Sequence, residues 1–96
     1  MATFKAIVFK GHLKQDGTSN IKIRIYHNRE SQYISTAYYI RPENMDESGR
    51  ILSGVTNGEM IEYEINAYIQ KIRREYLKLG QDRTQFMSCM DLKEEI

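Results

Sequence analysis

The segment Asn20 to His27, NIKIRIYH, alternates apolar and polar residues without a break, a period of two that suits a strand with one buried face. Ile21, Ile23 and Ile25 fall on one side, and Lys22, Arg24 and Tyr26 on the other. Such a strand needs pairing partners, and its flanks supply them. Thr3 to Lys10 (TFKAIVFK) is short and rich in β-branched and aromatic residues, which reads as a first strand. Gln32 to Ile40 (QYISTAYYI) reads as a third: Ile34, Thr36, Tyr38 and Ile40 point one way, and Tyr33, Ser35, Ala37 and Tyr39 the other. The connections carry turn chemistry, with Asp16-Gly17 inside the Gly11 to Asn20 loop and the polar run Asn28 to Ser31 between the second and third strands.

A three-stranded sheet of this size cannot stay folded uncovered. Pro42 ends the third strand, since it lacks an N–H for the ladder. A connector to Val55 follows, with Met45, Ile51, Leu52 and Val55 as apolar plugs and a turn at Asp46 to Gly49. Thr56-Asn57-Gly58-Glu59 has the form of a capping box, so a helix is expected to start there. Ile61, Ile65, Tyr68, Ile69, Ile72, Tyr76 and Leu79 then recur at spacings of three and four, and Gly80 suits the residue that ends such a helix. Its far end is expected to overhang the sheet, leaving Tyr76 and Leu79 for a neighbour. Ser88-Cys89-Met90-Asp91 repeats a capping pattern ahead of Leu92 to Ile96, which stops in mid-stripe and reads as the start of a helix belonging to a longer protein. The expected fold is α+β: three antiparallel strands against one long helix, with a short second helix near the C-terminus.

Ninety-six residues leave little room for a cleft beside a core, and the chemistry of enzymes is missing. Cys89 is the single cysteine, and a lone thiol at an apolar position reads as packing. Neither His12 nor His27 has a ligand partner at metal spacing, so both are read as surface imidazoles and no metal or cofactor is expected. Gly11 and Gly17 are isolated turn residues, not a phosphate-cradling loop. Glu59, Glu62 and Glu64 suit a helix start, where carboxylates favour the dipole. No window reaches the roughly 18 apolar residues of a membrane span, and residues 1–10 lack the form of a signal peptide, so a cytoplasmic parent is expected.

Charge is divided unevenly. Up to Arg41 seven bases stand against Asp16 and Glu30, a net +5, while the remainder carries a net −4. Only the first part therefore suits a polyanion. If the second and third strands pair through the 28–31 turn, Lys22, Arg24 and Tyr26 share a face with Tyr33, Ser35 and Tyr39, and Lys14 in the preceding loop is placed to reach a phosphate backbone. Cations, hydroxyls and flat rings side by side can hold phosphates and base edges. Double-stranded DNA is the expected partner through these seven residues. Two alternatives remain: a single-stranded nucleic-acid platform stacking bases on Tyr26, Tyr33 and Tyr39, and a protein-interaction module in which the acidic helix and the tail beyond Gly80 dock to a partner subunit and the basic face is incidental.

The order KAIVFK, a loop with DG, IKIRIYHN, QYISTAYYIRPENMDESGRI and a long helix resembles the arm-type DNA-binding domain of tyrosine recombinases, in particular integrases of Bacteroides-type mobile elements. Its most specific part is Tyr33-Ile34-Ser35-Thr36 followed by Ile40-Arg41-Pro42-Glu43. The chain departs from the family pattern at Met45, where Trp is usual, and at Ala37, where Gly is usual. The resemblance implies an arm-site-binding domain over residues 1–80, with 81–96 a linker and the start of a core-binding domain. It also implies that other recombinase subunits are partners through the full-length protein, and that cleavage belongs to a separate catalytic domain. None of the seven tyrosines here has the activating Arg and His-x-x-Arg set, so the chain itself is read as non-catalytic.

Overall fold

The computed structural model describes residues 1–96. Three strands, β1 (Thr3–Val8), β2 (Ser19–His27) and β3 (Glu30–Ile40), form an antiparallel sheet in the order β1-β2-β3. Three helices follow, α1 (Gly58–Leu79), α2 (Gln81–Thr84) and α3 (Cys89–Glu95), with a single 3₁₀ turn at Pro42–Asn44. This is the α+β arrangement that the hydrophobic periodicities predict, and no helix is long and apolar enough to cross a membrane.

The β2–β3 turn is tighter than the polar run suggests. Asn28 and Arg29 alone make it, and both have positive φ, 49° and 65°. A two-residue hairpin with left-handed central residues matches the twist of its strands, and Asn tolerates that conformation better than most residues. The Asn28 amide also ties the turn down, donating to the carbonyls of Gln85 (3.1 Å) and Met87 (2.9 Å) in the α2–α3 connection.

The core lies between the sheet and the helices. Ile21, Ile23 and Ile25 are fully buried, with Phe4 and Ala6 from β1, Ile40 from β3 and Ile65, Ile69, Ile72 and Tyr76 from α1. Tyr68 and Leu52 fall outside it, both exposed. Tyr76 is buried rather than overhanging: its ring meets Phe4 edge-on at 5.6 Å, and its hydroxyl accepts from the Ala2 amide at 3.1 Å. Residues 81–96, expected as a linker and the start of a core-binding domain, contribute two side chains to this same core. Cys89 and Leu92 are completely buried against it. The Cys89 thiol donates to the Ile25 carbonyl at 3.4 Å, and burial, with the Glu30 carboxylate nearby, raises its pKa and keeps it protonated.

Two further expectations are corrected. The capping box at Thr56–Glu59 does not form: Asn57 takes the left-handed conformation (φ 60°), and no side chain caps α1. Helical geometry begins at Gly58, whose amide closes a turn onto the Val55 carbonyl, so Thr56 stands outside the cap position. The Ser88 cap does form, its hydroxyl accepting from the Asp91 amide at 3.1 Å. His27 is no surface imidazole, being only 4% exposed, with Nε2 at 2.8 Å from the Thr84 carbonyl. A carbonyl only accepts, so Nε2 carries the proton there. His12 is exposed as expected.

The free edge of β1 is covered by the 46–50 loop. Asp46 Oδ1 organises that loop by accepting from the Ser48 amide, the Ser48 hydroxyl and the Arg50 amide. At its tip Gly49 (φ 88°) packs so close to β1 that a Cβ would stand 2.7 Å from the Ala6 carbonyl oxygen. Backbone contact at an edge shields it from pairing with another chain.

Candidate nucleic-acid interface

The face of the sheet turned away from the helices follows from strand parity. On β2 it carries Asn20, Lys22, Arg24 and Tyr26; on β3 Ser31, Tyr33, Ser35, Ala37 and Tyr39; on β1 Thr3, Lys5 and Ile7. All six predicted strand residues lie there, and Lys14 joins them from the β1–β2 loop.

Pairing sets their neighbours. Lys22 stands opposite Ser35, and its ammonium donates to Ser35 Oγ at 3.0 Å and Asn20 Oδ1 at 3.3 Å. Arg24 stands opposite Tyr33; its Nε donates to Ser31 Oγ at 3.3 Å while the guanidinium lies 5.2 Å from the Tyr26 ring centroid. Lys14 is brought over the Tyr39 ring at 4.3 Å. That placement is built into the loop. The Lys14 amide donates to the Thr18 carbonyl and the Gly17 amide to the Lys14 carbonyl, while Asp16 Oδ1 accepts from both the Thr18 amide and hydroxyl. These two bonds, hydroxyl first, hold the Asp16 carboxyl below its ordinary pKa. Gly17 (φ 82°) is pressed against the Arg41 guanidinium, which adds a further cation beside the loop.

Sequence reasoning missed Lys5, Asn20 and Arg41. Lys5 was legible from parity, because Phe4 and Ala6 point inward and Lys5 must point out. In the structure it is exposed and stands directly opposite Arg24. Like charges facing each other across a sheet are destabilising. The outward strand positions contain no Asp or Glu to offset this pair; an anion placed over it does so. The three outward tyrosines are already engaged, Tyr39 by Lys14, Tyr26 by Arg24, and Tyr33 by Phe9 at a centroid distance of 5.0 Å.

No group of three or more His, Cys, Asp or Glu residues is placed to hold a metal ion. The clefts are shallow ones at loop, helix and sheet margins, two of them reaching the β1 edge of this face at Ile7 and Lys5; the largest lies among Arg50–Val55, Gly58 and Glu62. What the face offers is an open, cationic, hydroxyl-bearing surface suited to a polyanion.

No curated protein and no solved structure matches the chain at a significant level. A family profile described as the Arm DNA-binding domain does, over residues 7–92, from within β1 into α3. With sheet, long helix and docked α3 all inside that match, the chain belongs to the Arm DNA-binding domain family.

Proposed function

We propose that the chain binds duplex DNA sequence-specifically at arm-type sites through the outward face of its sheet, as a non-catalytic part of a cytoplasmic tyrosine recombinase or integrase. The observation that carries this reading is the carboxylate-free face on which Lys5 and Arg24 oppose each other, with Lys22 one pair along. The β2–β3 ribbon is narrow enough for a major groove about 12 Å wide. There Arg24 and Lys22 reach guanine edges or phosphates, Ser31, Ser35 and Tyr39 donate hydroxyls, and Lys14 meets the backbone. In this reading residues 1–80 carry the DNA contacts. Residues 81–96 fasten the sheet and lead toward a core-binding domain of the parent, whose other subunits are the protein partners.

The single-stranded alternative needs free ring faces for stacking. Each outward tyrosine already has a cation or a ring beside it, which favours the duplex. The test is a titration of labelled duplex and single strands over a salt series. With roughly four to six phosphate contacts, log K against log salt for the duplex should slope about −4 to −5. A flat response removes the DNA reading; tighter single-strand binding selects the stacking platform; nicking of the duplex by the pure chain refutes the non-catalytic assignment.

A further inference from the structure

The β2–β3 ladder runs regularly from His27 opposite Glu30 to Lys22 opposite Ser35, and resumes with Asn20 opposite Tyr39 and Ser19 opposite Ile40. Between these stretches Ile21 alone faces Thr36, Ala37 and Tyr38. Two additional residues preserve parity, so Tyr39 stays on the outward face, but they change its position. Had the ladder continued unbroken, Ala37 would stand opposite Asn20, and Tyr39 opposite Thr18, beyond the end of β2. The bulge draws Tyr39 back by two residues, about 7 Å of strand, to where Lys14 lies over its ring.

A bulge breaks ladder bonds and leaves backbone groups that need other partners. Two side chains meet that need here. The Asn20 amide donates to both the Thr36 carbonyl (2.8 Å) and the Tyr38 carbonyl (3.0 Å). The Thr36 hydroxyl donates to the Ile21 carbonyl (2.7 Å) and accepts from the Tyr38 amide (3.2 Å). Asn20 Oδ1 then accepts from the Lys22 ammonium, so the amide that holds the bulge also orients a cation of the face. Ala37 lies at its centre without positive φ, and Gly is therefore not required where the family usually has it.

We infer that Asn20 and Thr36 are positioning residues for DNA recognition: their clamp on the β3 bulge sets the spacing between the Lys22–Arg24 ridge and the Lys14–Tyr39 pair, and with it the fit to the duplex. This rests on the duplex-binding reading. Thr36 is the sharper probe because its side chain belongs to the inward set and has no place at the DNA surface.

Thr36→Val keeps the shape and deletes the hydroxyl; Thr36→Ser keeps the hydroxyl. Binding of the full chain to a mixed-sequence labelled duplex, corrected for the fraction folded, should weaken about five- to tenfold for Thr36→Val and stay within about twofold of wild type for Thr36→Ser. The loss should be non-additive with Tyr39→Ala and additive with Arg24→Ala. If wild type does not bind the duplex, or Arg24→Ala binds like wild type, the underlying reading fails. If wild type and Arg24→Ala behave as stated, the clamp fails on any of three results: Thr36→Val binds like wild type, Thr36→Ser is as weak as Thr36→Val, or the losses at Thr36 and Tyr39 simply add. Should Thr36→Val not fold, Asn20→Ala goes through the same cycle; if that also fails to fold, the pair is structural and the inference is overturned.

Discussion

Ile23 and Arg24 are neighbours in the chain that serve opposite sides of the sheet, one completely buried and one on the outward face. Ile23→Ala removes core volume and should lower stability by about 2–5 kcal/mol, while the folded fraction still binds DNA. Arg24→Ala should leave the thermal midpoint nearly unchanged and weaken duplex binding by about 1–3 kcal/mol if its guanidinium reads a base edge. Paired melting and binding curves check both, and equal effects on stability would mean the two faces are misassigned. Asp16 and Asp46 give a second residue-scale expectation. Each is held below its ordinary value of 3.8, chiefly by the hydroxyl of Thr18 or Ser48. A depressed folded value means a contribution fully present above 3.8 and lost as the pH falls through the depressed folded value. Replacing both by Ala should flatten the fall in thermal midpoint below that pH; an unchanged acid slope would show that the two loop anchors do not contribute.

At the scale of elements, α1 and α3 divide the inner face of the sheet, and neither is a detachable lid. Ile72 on α1 and Leu92 on α3 are both buried in the common core. Ile72→Ala and Leu92→Ala should each cost about 2–5 kcal/mol, large against the stability of a small domain. Cys89 offers a direct readout of α3. Its thiol is buried and its pKa raised, so labelling by a thiol reagent should be slow in the native chain and accelerated by Leu92→Ala. Fast labelling of the wild type would show that α3 leaves the sheet readily.

Across the whole molecule, bases occur on both sides of the sheet, but on the outward face they stand without carboxylates, while those of α1 are mixed with Glu59, Glu62, Glu64 and Glu75. The outward sheet face is cationic, whereas the bases of α1, such as Lys71 and Arg74, are exposed on an element packed against the opposite face. Lys22→Ala should reduce the salt slope of duplex binding by about one, and Lys71→Ala should leave it unchanged. Equal losses from both would mean that binding follows net charge and not the sheet face.

The sequence by itself determined the three strands, the long helix and the two-sidedness of the sheet, because period two in β2 and period three to four in α1 are properties of the local backbone. The six strand residues assigned to the outward face were legible for the same reason. His27 was misread although its parity with Ile21, Ile23 and Ile25 placed it inward; what makes burial tolerable is the Thr84 carbonyl, 57 residues away. The cap at Thr56, by contrast, failed through a local turn, with Asn57 at positive φ and the Gly58 amide closing onto the Val55 carbonyl. The docking of Cys89 and Leu92 was, like the burial of His27, decided by groups distant in the chain. So was the bulge at Thr36 to Tyr38. Alternation fixes which face a side chain takes but not how far along the partner strand it lies; that register was settled only when the Asn20 amide and the Thr36 hydroxyl supplied the hydrogen bonds the ladder lost.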